Sequence, residues 1–70
     1  MSKKTYEVVH AVDKIITRAA KRVVRVGGSF DEVRHEVVNR LTRRYPGLDE
    51  STLIGGFDHR YVQALNKRAA

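Results

Sequence analysis

The stretch Tyr6-Glu7-Val8-Val9-His10-Ala11-Val12-Asp13-Lys14-Ile15-Ile16-Thr17-Arg18-Ala19-Ala20-Lys21-Arg22-Val23-Val24-Arg25-Val26 decides how this chain folds. Its apolar positions 8, 12, 15, 16, 19, 23 and 26 recur mostly at three and four, the period of one face of an α-helix. They predict a helix from about Tyr6 to Val26, with Thr5 able to cap its start. Gly27-Gly28 ends it, because residues that tolerate positive φ commonly follow a helix. The β-branched run Val23-Val24-Arg25-Val26 before Gly-Gly also fits a strand entering a tight turn. The length of the helical pattern favours the helix.

The same stretch carries five bases, Lys14, Arg18, Lys21, Arg22 and Arg25, with no acid among them. At about 100° per residue they fall within roughly a third of the helix circumference, away from the apolar stripe. None has an acid three or four positions before it, and they neighbour one another at 14/18, 18/22 and 21/25. Like-charge pairs at such spacings cost roughly 0.2–0.5 kcal/mol each. The negative C-terminal dipole of the helix accounts for Arg22 and Arg25 but not for Lys14 or Arg18. A surface selected only for solubility mixes signs, so this stripe is expected to meet something negative.

Ser29-Phe30-Asp31-Glu32 has the form of a capping box and opens a second helix that buries Phe30, Val33, Val37, Val38, Leu41 and Tyr45 and stops before Pro46-Gly47. Arg34 falls inside that apolar arc and must either snorkel or pair with an acid from another segment. Leu48 to Ile54 reads as a short helix capped by Asp49 and ended by Gly55-Gly56. A last helix, about His59 to Lys67, turns Tyr61, Val62 and Leu65 inward. The expected fold is therefore all-α, a single small helical bundle over residues 1–70 with frayed ends at about 1–4 and 68–70. Its long first helix forms an antiparallel hairpin with the second, because the turn between them is so short. A short helix and a C-terminal helix follow.

Composition sets the class of partner. The chain has 70 residues, a formal net charge of +6 and no cysteine, so no disulfide or thiolate metal site supports it. A core of this size rarely supplies more than about 3–5 kcal/mol. No apolar run approaches the roughly 18–20 residues of a membrane span, and the polar start is not a signal peptide, which predicts a cytoplasmic or nucleoid-associated protein without a membrane partner. The positive charge makes a polyanion the leading partner and an acidic protein surface the second.

Three further segments bear on that partner. Arg40, Arg43 and Arg44 form a second basic cluster, partly accounted for by Glu36 four residues before Arg40 and by the helix C-terminus. Leu48 to Lys67 can be laid over a helix-turn-helix with Gly55 or Gly56 in the turn, placing His59, Arg60, Gln63, Asn66 and Lys67 on the outer face of a reading helix. Arg60 and Gln63 are side chains that pair bidentately with guanine and adenine edges. In a competing geometry, Lys4-Thr5-Tyr6-Glu7-Val8 alternates like a strand and two helices follow, the second opening at Gly28-Ser29. Residues 3 to 45 in that form resemble the ribbon-helix-helix family of dimeric repressors. The resemblance implies that Lys3, Thr5 and Glu7, or Lys4 and Tyr6, reach the major groove, where Glu7 fits poorly.

Catalysis has little support. His10, His35 and His59 stand on separate elements, the pairs His10/Asp13 and Asp31/His35 lack a third ligand at metal spacing, and no nucleophile elbow or phosphate loop is present. No cofactor or metal is expected. The sequence reads as a small basic regulator that binds nucleic acid, double-stranded DNA first, as a monomer or a homodimer. Lys14, Arg18, Lys21, Arg22, Arg25, Arg40, Arg43 and Arg44 would contact phosphates, and Arg60, Gln63 and Lys67 would reach bases. The alternative is a protein-binding modulator of the kind phages and plasmids encode, using the same bases to dock on an acidic face of host machinery such as the transcription apparatus.

Overall fold

A helix of 24 residues rises about 36 Å at 1.5 Å per residue. Helix α1 (Lys3–Val26) has that length and sets the 38 Å long axis of the molecule. The computed structural model describes residues 3–69, which form three helices, α1, α2 (Phe30–Arg44) and α3 (Glu50–Ala69), and no strand.

Helix α1 begins earlier than the apolar period predicts, so Thr5 lies within it rather than capping it. The strand proposed for residues 4–8 is helical, and with it the ribbon-helix-helix reading falls. Val23 to Val26 is also helical: the Gly27 amide donates to the Val23 carbonyl at 2.9 Å and closes the last turn. The chain then reverses through Gly27 and Gly28, at φ of 90° and 112°, where a side chain would be strained. The deepest residues of α1 are Val12, Ile16, Ala20 and Val23, with Ile15 and Ala19 only half-buried. The buried stripe is thus rotated toward Ala20, because α1 must face two helices at once.

Helix α2 starts as the capping box predicts. Ser29 is extended, and its hydroxyl oxygen accepts from the Glu32 amide at 3.3 Å, with Asp31 and Glu32 in the positive first turn. Its end is closed by the Tyr45 amide donating to the Leu41 carbonyl at 2.8 Å, just before Pro46. Arg34 does pair across the fold: its guanidinium donates to both Asp58 oxygens at 3.3 and 3.4 Å and to Asp31 at 3.3 Å, and lies 5.1 Å over the Phe30 ring.

Helix α3 departs most from expectation. Asp49 stands just before it, its carbonyl accepting from the Leu53 amide and its carboxylate from the Thr52 hydroxyl at 2.9 Å rather than from a backbone amide. The predicted break at Gly55-Gly56 is absent: the short helix and the C-terminal helix are one, and the helix-turn-helix reading loses its turn. Neither glycine has positive φ. A glycine in a helix costs about 1 kcal/mol relative to alanine. Continuity repays that cost because Leu53 and Phe57, one turn apart, both reach the core, where Phe57 is completely buried. Gly56 faces Ile16, whose Cδ1 lies 3.8 Å from where a Cβ would stand.

The path of α3 follows from its contacts. Phe30, Arg34 and Val38 of α2 meet Tyr61, Asp58 and Ile54 in that order, so these two helices run antiparallel. Gly56 faces Ile16, Ala64 lies beside Lys21, and the Arg68 guanidinium donates to the Val24 carbonyl, so α1 and α3 run in the same direction. Tyr61 is half-buried against Phe30, with ring centroids 4.5 Å apart. Val62 and Leu65, predicted inward, are 52% and 41% exposed. They lie beyond the first residue of α2, where α2 no longer covers them.

Gly55 has open space around its Cα and an ordinary helical backbone. Gly55→Ala should therefore stabilise the fold by about 0.5–1 kcal/mol, raising the thermal midpoint by roughly 2–8 °C. Gly28→Ala, at positive φ, should lower stability by about 1 kcal/mol or more. A loss of stability in Gly55→Ala, read by urea unfolding, would show a turn at this position instead of a continuous helix.

Candidate nucleic-acid interface

The bases of α1 occupy the side of that helix turned away from Val12, Ile16 and Ala20, and α3 comes alongside it there. Arg18, Lys21, Arg22 and Arg25 of α1, with Lys67 and Arg68 of α3, line one open groove of about 840 Å³ floored by Val24 and Ala64. Among the described residues, six cations and no carboxylate line it. The groove continues along the same seam past Thr17, Gln63 and Asn66 to Arg60. On the other flank of α1, Arg18 and Arg22 also border a groove toward α2 that contains Arg40 and Glu36. Arg18 and Arg22 thus form a ridge between two grooves.

Placement differs among the residues singled out by sequence. Lys14 is exposed on α1, just over one turn before Arg18, and does not line the groove. Arg43 and Arg44 are exposed at the end of α2, Arg44 lying 5.7 Å over the Tyr45 ring, and neither joins the α1–α3 groove. Arg60 is held by Asp13 through two hydrogen bonds, the shorter 2.7 Å, and also donates to the Gln63 side-chain oxygen at 3.0 Å. These two expected base readers are thus engaged within the molecule. The side chains of Lys3 and Lys4 lie outside the described ones. Arg68 was not anticipated, because a helix broken at Gly55-Gly56 was expected to fray by residue 68; continuity places Arg68 one turn beyond Ala64.

The distribution of acids sharpens the contrast. Asp13 is engaged with Arg60, and Asp31 and Asp58 with Arg34. Because α1 and α3 are parallel, both negative helix ends lie beside the basic groove. Each is equivalent to roughly half an elementary charge, about −1 in total, against six full positive charges. Neighbouring turns place side chains about 5–6 Å apart, inside the ~10 Å screening length at 0.1 M salt, so the cations act together.

Among the described residues no group of three His, Cys, Asp or Glu side chains is placed to hold a metal ion, and no helix is long and apolar enough to cross a membrane. His10 stacks on Tyr6 with ring centroids 6.1 Å apart. No family model matches this chain, and no curated protein or solved structure shows significant similarity to it.

The ion pairs differ in expected weight. Arg34 is 30% exposed, bonded to two carboxylates and set over an aromatic ring, whereas Asp13 is half exposed. Arg34→Ala should cost roughly 1–3 kcal/mol and Asp13→Ala less than about 1 kcal/mol in urea unfolding. The reverse order would mean that the Asp13–Arg60 pair, not Arg34, ties the helices together.

Proposed function

We propose that this protein is a small, non-catalytic, cytoplasmic regulator that binds nucleic acid, with double-stranded DNA as its target. It acts by occupying a site or by positioning other proteins. The observation that carries this reading is the groove lined by Arg18, Lys21, Arg22, Arg25, Lys67 and Arg68 without a carboxylate. In this reading Lys14 extends the row along α1, and Arg40, Arg43 and Arg44 add phosphate contacts on the α2 flank. The reading includes an antiparallel hairpin of α1 and α2, supported by the groove that Ile15, Ala19 and Val26 share with Val37 and Val33. The hairpin sets Arg40 beside the Arg18–Arg22 ridge.

Each phosphate neutralised releases condensed counterions, so affinity falls with salt at a slope of about −0.9 per contact. Six contacts predict a loss of roughly 10³-fold between 50 and 200 mM salt. Arg18→Glu combined with Arg22→Glu inverts the ridge and should abolish duplex binding, while far-UV circular dichroism remains helical. Retained binding in that variant, or affinity insensitive to salt, would remove the groove as the site.

A second reading rests on the apolar floor of the groove, Val24 and Ala64, which suits an acidic amphipathic helix from a partner protein. It predicts feeble, unspecific DNA retention together with capture of one defined acidic partner, and the duplex titration separates the two.

A further inference from the structure

If the groove binds nucleic acid as proposed, its chemistry also says which part of the nucleic acid it grips. Two kinds of side chain would indicate something other than phosphate: aromatic rings on which unpaired bases stack, and planar hydrogen-bonding groups free to enter a duplex groove. No such ring is available here, and the guanidinium groups left free, those of Arg18, Arg22 and Arg25, stand along the walls of a trough between helices.

The five aromatic residues of the chain are all placed away from the groove. Phe57 is completely buried, and Phe30 and Tyr61 are half-buried against it and each other, with centroids 5.4 and 4.5 Å from Phe30. Tyr45 is half-buried at the end of α2 under Arg44, and Tyr6 lies on His10 near the start of α1. Proteins that bind single strands combine a basic channel with such rings, and this groove has the channel alone.

The readers expected on α3 are engaged within the fold. Arg60 gives its guanidinium to Asp13 and to the Gln63 side-chain oxygen, which takes up the Arg60 fork and the acceptor half of the Gln63 amide. Arg68 is turned onto the Val24 carbonyl. The groove is a trough between two parallel helices rather than a probe that could enter the major groove. Arg18, Lys21, Arg22, Arg25 and Lys67 make none of the hydrogen bonds or ion pairs found among the described side chains, and form the cationic walls of that trough.

We infer that the groove grips the sugar–phosphate backbone of a duplex without reading its bases: the protein prefers double-stranded over single-stranded nucleic acid and is indifferent to sequence. The chemistry recognised is a regular double row of phosphates, which DNA and RNA duplexes share. Affinity then depends on charge and on the fixed spacing of the phosphates.

Fluorescence anisotropy tests this with the full chain and three kinds of probe: three DNA duplexes of unrelated sequence, about two helical turns long, one of their strands alone, and an RNA duplex. The three DNA duplexes should agree within about threefold, and the single strand should bind at least about tenfold more weakly. Stronger binding by the RNA or the DNA duplex identifies the source of the backbone, and either supports the inference. A single strand that binds as well as a duplex overturns it, as does one duplex preferred by about 10³-fold. In both of those cases nucleic-acid binding itself stands. Absence of binding to every probe overturns the inference together with the reading beneath it. Two variants sharpen the result. Gln63→Ala should leave the flat sequence profile unchanged, and Arg18→Lys with Arg22→Lys, which keeps charge but removes the bidentate fork, should keep duplex affinity within about threefold. A tenfold loss in the lysine variant would show that guanidinium geometry, and therefore base or bidentate recognition, contributes.

Discussion

Burial of Phe57 one turn after Leu53 is the constraint on which the rest of the structure depends. Both side chains can enter the same core only if the backbone stays helical through Gly55 and Gly56, despite the roughly 1 kcal/mol that each glycine costs there. Once α3 is unbroken, it lies against Ile16 and runs beside α1 to its end. That parallel course brings Lys67 and Arg68 to the arginines of α1. The basic groove is therefore a consequence of core packing in a different part of the helix.

The electrostatics have the opposite character on the two sides of α3. Toward α2, Arg34 is compensated by Asp31 and Asp58 and lies against Phe30, so a charge within an apolar arc becomes part of the packing. Toward the C-terminal part of α1, cations gather on both walls with no carboxylate among the described lining residues, and the two helix dipoles oppose them. Mutual repulsion there works against stability in a molecule with a small core. A surface that tolerates such repulsion is suited to a polyanion, whose binding relieves it.

Arg60 and Gln63 show how a change of element changes a functional reading. On an isolated reading helix they would face a groove of DNA. On a continuous α3 lying alongside α1, Arg60 is within reach of Asp13, and the pair engages both residues within the fold. In the proposed reading, a binding surface made mainly of phosphate contacts follows from the same packing that built the groove.

Much was legible in the chain itself because it rests on local chemistry. The period of α1, the cap at Ser29, the stop before Pro46, the need of Arg34 for an acid and the uncompensated row of bases all follow from neighbours within four residues. The fate of Gly55-Gly56 does not, because a glycine pair signals a break locally and is overruled only by what Leu53 and Phe57 gain in the assembled core. Nor do the burial of Ala20, the exposure of Val62 and Leu65, or the meeting of Arg68 with α1, all of which depend on where a second helix passes. Short-range spacing specifies helices and their charges; which charges end up facing one another is set by long-range burial, to which no local pattern is sensitive.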